Sequence, residues 1–173
     1  MSAYKVTVLG GGAWGTALAL AMLRAGHAVT LWARDADSVE AIAGGQNPRY
    51  LPGITFEPGI VGTTDLATAL AGTDCVLVVT PAQALRGVLT QAKPHVAAHV
   101  PLVLCAKGIE RDTGTLLSDI AGEILPENPV AALSGPSFAT DVSRGLPTAV
   151  VVAARDEARA SALAMRFSAA NLR

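Results

Sequence analysis

Aromatic residues, charged residues and cysteines are all scarce in this 173-residue sequence. Aromatic residues make up only 4% of the chain, so Val, Leu, Ile and Ala must fill its core. Charged residues make up 16% against 51% hydrophobic residues, a balance that excludes a disordered chain. The net charge of -1 supplies no positive field for nucleic acid or anionic lipid, and we expect neither as a partner.

Long hydrophobic runs and a disulfide pattern are also missing. No run reaches the roughly 18 apolar residues that a membrane span requires. The apolar segment Val6–Leu9 leads directly into glycines and follows no charged segment, so it does not predict a signal peptide. The only two cysteines, Cys75 and Cys105, each belong to an apolar run, which predicts buried, unreactive thiols in a reducing compartment. We therefore expect a soluble, cytoplasmic protein.

Short β-branched runs alternate with longer stretches rich in Ala and Leu. The pattern predicts strands at Lys5–Leu9, Ala28–Trp32, Cys75–Val79, Leu102–Ala106, Val130–Leu133 and Thr148–Ala153. It predicts helices at Ala13–Ala25, Ala36–Ala43, Leu66–Leu70, Gln83–Ala98, Gly114–Leu125, Ser137–Arg144 and Asp156–Ala169. Thr113 should open the fifth helix, Pro94 should break the fourth, and Gly44–Gly62 should be a loop with at most a short strand.

Strand–helix alternation of this kind is typical of a parallel sheet covered on both faces. We predict one α/β domain over residues 1–173, with a Rossmann-like, doubly wound, mostly parallel sheet and helices on both faces. An eight-fold barrel needs a longer chain. Because Asn171–Arg173 resembles the start of a further strand, we expect the chain to be truncated.

The sharpest local motif is Gly10-Gly11-Gly12-Ala13-Trp14-Gly15, a GxGxxG segment between the first strand and the first helix. Gly10 allows the tight turn, Gly12 lets the backbone approach a pyrophosphate, and Gly15 permits close packing of helix on strand. The positive end of the following helix favours phosphate. A GxGxxG in this context predicts a dinucleotide site, whereas a glycine-rich turn without a ligand is the plainer alternative.

The end of the second strand bears on the choice of cofactor. An NAD site usually places an acid there to bind the ribose 2′-hydroxyl, but Trp32 and Ala33 fill the expected positions and Arg34 follows. An arginine can pair with a 2′-phosphate and stack on adenine. The sequence therefore favours NADP(H), or dual use of NAD and NADP, unless Arg34 simply pairs with Asp35.

Three strand ends could meet a ligand, since ligands bind beyond the carboxyl ends of parallel strands. The backbone of Thr80 and Pro81 could line the nicotinamide ribose. Lys107 directly follows an apolar strand, where it could hold an anion or be simply solvated. Ser137 suits a helix N-cap, and with Gly135 and Lys107 it could form a site for a small phosphorylated or carboxylated substrate.

The sequence contains no pattern that predicts a metal site or a catalytic nucleophile. His95 and His99 are four residues apart, but no third ligand or acidic cluster accompanies them, so the sequence predicts no metal site. No Gly-x-Ser-x-Gly or Cys/His arrangement predicts a catalytic nucleophile. Hydride transfer needs neither, because the cofactor carries the chemistry.

Taken together, these segments resemble the N-terminal domain of the bacterial NAD(P)-dependent glycerol-3-phosphate dehydrogenases. The matching stretches are Val8–Ala19, Leu31–Arg34, Tyr50–Pro52, Val78–Pro81, Ala106–Gly108, Leu133–Ala139 and Gly145–Ala149. They follow one another in the family's order over essentially the whole chain, and this ordered set is specific.

The resemblance implies residue roles and a reaction. It assigns cofactor contacts to Ala13, Trp14, Arg34, Tyr50, Lys107 and Ala139. It assigns substrate contacts to Lys107, Gly135 and Ser137. The implied reaction interconverts dihydroxyacetone phosphate and sn-glycerol 3-phosphate, which feeds phospholipid synthesis, and the implied full-length protein can form a homodimer.

The family's general-base lysine and phosphate-binding Asn and Arg positions lie in an all-helical C-terminal domain that this sequence lacks. Without the base, turnover should fall on the order of 100-fold or more. We therefore expect a fragment that binds cofactor and is nearly inactive alone.

Three alternatives remain open at this point. The first is another dehydrogenase with the same N-terminal domain, of the 3-hydroxyacid or ketopantoate type, against which Lys107 and Ser134–Ala139 argue. The second is a dinucleotide-sensing module that signals through a partner, and the third is a Rossmann-like scaffold without a ligand.

Overall fold

The computed structural model describes residues 3–173, in which seven strands form one sheet. The strands are β1 (Lys5–Leu9), β2 (Ala28–Trp32), β3 (Ile60–Thr63), β4 (Cys75–Val78), β5 (Leu102–Leu104), β6 (Val130–Ser134) and β7 (Val151–Ala154). They lie in the order β3-β2-β1-β4-β5-β6-β7, all neighbours pairing in parallel except β6 with β7. The predicted Rossmann-like, mostly parallel sheet is confirmed.

Helices cover the sheet from two sides. They are α1 (Ala13–Arg24), α2 (Ala36–Ala43), α3 (Leu66–Leu70), α4 (Ala82–Ala92), α5 (Leu117–Ile124), α6 (Ala139–Ser143) and α7 (Glu157–Phe167). Apolar residues of α1, α6 and α7 form one core with the sheet, and those of α3, α4 and α5 form the other. The central strands β1 and β4 are buried on both faces. The sequence of β4 is accordingly apolar throughout, and the one buried polar residue of β1, Thr7, donates its hydroxyl to the carbonyl of Ala69 at 2.7 Å.

Arg24 joins three segments behind the sheet. Its guanidinium pairs with Glu57 at 2.7 Å and donates to the carbonyl oxygens of Val142 and Ser143 at 2.7 and 2.8 Å. The hydrogen bonds from Arg24 hold the pKa of the Glu57 carboxyl below its ordinary value. The end of α1, the loop before β3 and the end of α6 are thereby fixed to one another.

Two predicted helix starts are wrong. Helix α5 begins at Leu117 and not at Gly114, because the hydroxyl of Thr113 donates to Glu110 at 2.6 Å instead of capping a helix. Glu110 is itself held by Arg86 of α4 at 2.8 Å. The preceding residues form a turn closed by a bridge between Ile109 and Leu116. A contact distant in sequence therefore sets this boundary.

The second wrong start is at α6, which begins at Ala139. Phe138 occupies the N-cap position, and no side chain caps this helix. The N–H of Ser137 instead donates to the carbonyl of Gly135 at 3.0 Å, so Ser137 belongs to a turn between β6 and α6. With only five residues, α6 is also shorter than predicted.

Smaller differences concern the other predicted boundaries. The fourth helix ends at Ala92 and continues as a 3-10 turn over Lys93–His95, near the expected break at Pro94. The last strand is Val151–Ala154, antiparallel to β6. The expected strand start at Asn171–Arg173 is a single parallel bridge between Leu172 and Thr148.

One part of the sheet remains uncovered. Ala132 and Ser134 of β6 lie opposite Ala153 and Val151 of β7, and all four side chains are exposed on the same face. Among residues 3–173, no helix is both long enough and apolar enough to cross a membrane.

Candidate functional site

A wide cleft opens at the carboxyl ends of the strands, where the strand order reverses between β1 and β4. Crossovers from these two strands run in opposite directions, which leaves a crevice at this position in doubly wound sheets. The cleft has a volume of about 920 Å³. Its walls come from Gly10–Gly15 after β1, Trp32–Asp35 at β2, Val79–Pro81 after β4 and Cys105–Lys107 after β5, with Arg49 and Tyr50 from a loop.

The glycine-rich segment after β1 forms the floor of this cleft, and its glycines meet different constraints. Gly10 has φ +132°, and a Cβ there would lie 2.9 Å from the carbonyl oxygen of Val79. A Cβ on Gly15 would lie 1.9 Å from the carbonyl oxygen of Gly10. By contrast, a Cβ on Gly12 would meet no atom within 4 Å. The fold therefore requires Gly10 and Gly15, whereas nothing in the protein itself requires Gly12 to lack a side chain.

The N-terminus of α1 faces the cleft without a competing acid. Gly12 is its N-cap, no side chain caps the helix, and its first turn contains no acidic residue. Ala13 and Trp14 form this first turn and line the cleft. The free N–H groups and the positive end of a twelve-residue helix are suited to an anionic group.

At the end of β2, Arg34 is exposed, and Asp35 does not neutralise it. Among residues 3–173, ion pairs join Arg24 to Glu57 and Arg86 to two glutamates, and none includes Arg34. Asp35 is the N-cap of α2 and accepts hydrogen bonds from the N–H and hydroxyl of Ser38. These bonds lower the pKa of Asp35, the hydroxyl contributing most. The alternative in which Arg34 pairs with Asp35 is therefore wrong.

The loop that carries Tyr50 is tied to the glycine-rich segment by Asn47. This asparagine is buried, and its amide nitrogen donates to the carbonyl of Gly11 at 3.0 Å and to the hydroxyl of Thr16 at 2.8 Å. The Asn47 backbone carbonyl accepts from the N–H of Leu51 at 2.7 Å. Tyr50, which the sequence predicted beside the cofactor, indeed lines the cleft and is 45% exposed.

On the other side of the cleft, β4 and β5 end in polar residues. Thr80 is buried, and its hydroxyl has no hydrogen-bond partner among the described residues. Pro81 is the N-cap of α4, and Lys107 is exposed at the cleft wall. The thiol of Cys105, next to Lys107, is buried with a raised pKa, as is that of Cys75, whose pKa burial raises to about 12.

The three predicted site residues near α6 lie outside this cleft wall. Gly135, Ser137 and Ala139 are half-buried residues of the described chain, and none of them lines the cleft formed by Gly10–Lys107. Gly135 has a packing role, since a Cβ there would lie 2.8 Å from the carbonyl oxygen of Ala149. The structure thus brings together the predicted cofactor residues from Gly10 to Lys107, and it leaves Ala139 and two of the predicted substrate residues, Gly135 and Ser137, out of the cleft lining.

Sequence reasoning missed Asn47, Arg49 and the hydroxyl of Thr80. The dipeptide Asn47-Pro48 is an ordinary turn signal, and it gave no indication of a buried amide that bonds 36 residues away. Arg49 follows in the same loop and lines the cleft. Thr80 was singled out for its backbone, and its position as a polar residue at the end of an apolar strand is the one local signal that pointed to its hydroxyl as well.

Comparisons with known proteins place the chain among dehydrogenases. Residues 5–160 match the family model described as NAD-dependent glycerol-3-phosphate dehydrogenase N-terminus. The chain is 73% identical over 172 residues to the protein of Mesorhizobium japonicum named glycerol-3-phosphate dehydrogenase (NAD(P)+), covering 99% of this chain and 50% of that protein. It thus spans about half the length of the curated relatives that it matches.

Solved structures agree with this likeness. The crystal structure of glycerol-3-phosphate dehydrogenase from Coxiella burnetii superposes with a TM-score of 0.90 at 35% identity, covering 99% of this chain and 53% of that one. A ketopantoate reductase from Ralstonia eutropha superposes with a TM-score of 0.72 at 21% identity, covering 97% of this chain and 54% of that one. The second likeness shows a shared fold alone.

Proposed function

This chain belongs to the NAD-dependent glycerol-3-phosphate dehydrogenase family, and we propose that it forms the NAD(P)-binding part of an enzyme that interconverts dihydroxyacetone phosphate and sn-glycerol 3-phosphate. The relatives are about twice as long as this chain, so we propose the complete reaction for the longer protein of which this domain would be a part. Its products would serve as phospholipid precursors, in the cytoplasm.

The observation that carries the proposal is the shape of the glycine-rich segment. Packing explains Gly10 and Gly15, but Gly12 faces open space at the N-terminus of α1. A backbone without a side chain at this point lets a pyrophosphate approach the helix N–H groups closely. The unpartnered hydroxyl of Thr80, on the opposite wall, also suits a polar ligand in this cleft.

Different residues of the cleft would contact different parts of the cofactor. The N–H groups of Ala13 and Trp14 would bind the pyrophosphate, and Arg34 and Tyr50 would hold the adenosine end. Pro81 and Lys107 would border the nicotinamide end. The resemblance to the family adds Ala139 as a further contact, although Ala139 does not line the cleft in this structure. When bound, the nicotinamide ring supplies or accepts the hydride. The exposed cation of Lys107 would attract the phosphorylated substrate towards Gly135 and Ser137.

Proton transfer at the substrate hydroxyl would depend on a base from outside residues 1–173. A positioned general base contributes roughly 100-fold to 10,000-fold in rate. We therefore propose that the fragment binds cofactor and is nearly inactive alone, and that the full-length protein is a homodimer.

Titration with NADPH and NADH tests the proposed cofactor site, with the fluorescence of Trp14 and Trp32 as the signal. Saturable quenching supports the site, and Trp14→Phe should remove most of it, since Trp14 lines the cleft at the start of α1. Absence of binding by a chain that circular dichroism shows to be folded would overturn the proposal.

Measurement of turnover tests the proposal that the chain alone is nearly inactive. The fragment with NADPH and dihydroxyacetone phosphate should oxidise NADPH at less than about 1% of the rate of the full-length Mesorhizobium japonicum relative. A comparable rate would show that the base lies within these residues.

A further inference from the structure

Two arginines from different segments line the cleft without an ion-pair partner. Arg34 follows β2, and Arg49 lies in the loop between α2 and β3. Both are exposed, and none of the ion pairs found among residues 3–173 includes either of them. Two positive charges that line the same cleft without an ion pair make this part of it suited to an anionic group.

The position of Arg49 relative to the end of β2 is fixed by its neighbours. Asp35 directly follows Arg34, and the charge of Arg49 acts on its carboxyl group, adding to the larger effect of the hydrogen bonds from Ser38. Arg49 therefore lies on the same side of the cleft as the end of β2. In sheets of this topology, the end of the second strand is where the 2′ position of the adenosine ribose lies.

The loop around Arg49 is well ordered by local contacts. Asn47, two residues earlier, donates hydrogen bonds to Gly11 and Thr16, which fixes the loop to the glycine-rich segment and the start of α1. The guanidinium of Arg49 lies 5.3 Å from the centre of the Tyr50 ring, within the range of a cation–π contact. The guanidinium of Arg49 is thus exposed and lies over a ring that also lines the cleft.

We propose that Arg49 is a specificity-determining residue that, together with Arg34, binds the 2′-phosphate of NADP(H). The assignment rests on the proposed function and goes beyond it, because it names a second cation for a group that NAD(H) lacks. A phosphate has three acceptor oxygens, and two guanidinium groups from two different segments can each donate to it. NAD(H), with a neutral hydroxyl at the same position, would gain little from Arg49.

Binding constants of the chain for NADPH and NADH test the assignment. Arg49→Ala should weaken the binding of NADPH about tenfold, which is the usual value of one charge-assisted hydrogen bond. It should change the affinity for NADH less than twofold. Arg49→Lys should restore part of the NADPH affinity, because it keeps the charge but loses the fork geometry. The affinity for 2′,5′-ADP, which carries the 2′-phosphate, should fall in Arg49→Ala as the affinity for NADPH does. The affinity for 5′-AMP, which lacks this phosphate, should change as little as the affinity for NADH.

Arg159→Ala is the matched control, since Arg159 is an exposed arginine that lines a different cleft beside β7. It should change neither affinity. An equal loss for NADPH and NADH in Arg49→Ala would show that Arg49 only shapes the loop, and no loss for NADPH would show that it does not contact the phosphate. Either result overturns the assignment while leaving the proposed function intact. Binding of neither nucleotide to the folded wild-type chain would overturn both.

Discussion

Substitution of Gly12 by alanine should separate the requirement of the ligand from the requirement of the fold. Gly12 has φ -72° and ψ -179°, a conformation open to any residue, and its Cβ would meet no protein atom. Alanine is slightly worse than glycine at an N-cap but loses less backbone entropy on folding, and the two effects nearly cancel. We expect the free energy of unfolding to change by less than about 1 kcal/mol.

Binding should respond much more strongly than stability. The added methyl group would occupy the space through which a pyrophosphate reaches the N–H groups of Ala13 and Trp14. Loss of about two charge-assisted hydrogen bonds, at roughly 1.5 kcal/mol each, corresponds to about a 100-fold weaker affinity. NADPH and NADH should weaken equally, because both carry the pyrophosphate.

Gly15→Ala should show the opposite pattern. Its Cβ would lie 1.9 Å from the carbonyl oxygen of Gly10, well inside the roughly 3.3 Å of a close carbon–oxygen contact. The nearest atoms that this Cβ would meet belong to the backbone and not to the far end of a flexible side chain. Overpacking against backbone should cost about 3 kcal/mol or more.

Urea unfolding and fluorescence titration of both variants measure these effects, with Gly87→Ala as the control. Gly87 lies inside α4 with no atom within 4 Å of its Cβ position, so alanine there should stabilise the chain by about 0.5–1 kcal/mol and leave binding unchanged. The reasoning is refuted if Gly12→Ala binds NADPH like the wild type, or if Gly12→Ala unfolds the chain while Gly15→Ala does not.

Three further predictions follow from buried or paired groups. Asn47→Ala should destabilise the chain by about 2 kcal/mol in urea unfolding, because the carbonyl of Gly11 and the hydroxyl of Thr16 would lose their hydrogen-bond donor. It should weaken the binding of NADPH and of NADH equally, and a selective loss of NADPH binding would contradict this. Cys75 and Cys105 should resist a thiol reagent at pH 8 in the folded chain and react fully in denaturant, because burial keeps both protonated; rapid labelling of native protein would show otherwise. Glu57→Gln should reduce stability at pH 7, since Arg24 lowers the pKa of Glu57. The difference from wild type should begin to shrink as the pH falls below about 4.5 and should vanish only below the lowered pKa of Glu57 in the folded chain; a pH-independent difference would exclude the ion pair as its cause.

Local signals sufficed for the elements that are bounded by them. The bounds of β1, β2, α2 and α3 agree with the sequence prediction to the residue, because mostly apolar runs rich in β-branched residues mark the two strands and an aspartate at the N-cap marks each helix. The starts of α5 and α6 were wrong because a distant partner or a tight turn engages the expected capping residue. Thr113 donates to a glutamate that Arg86 holds, and Ser137 closes a turn with Gly135.

The same distinction holds for the candidate site. The glycine-rich segment and Arg34 could be found from the sequence, because the spacing of a motif and its place between strand and helix are local properties. Asn47 and Arg49 could not, since their importance depends on a loop that folds back over residues 36 positions earlier. The roles of Gly135 and Ser137 came from their place at a strand end and from resemblance to a family, and they stay predictions.

The hydrogen bonds of Asn47 also affect the thermodynamics of binding. They join the wall that would hold the adenosine end to the floor that would hold the pyrophosphate, so the two halves of the cleft are ordered before any nucleotide arrives. Less conformational entropy is then lost on association, and affinity increases without any additional contact. Substitutions in the two halves should consequently be non-additive in double-mutant cycles, because each half depends on the same buried amide.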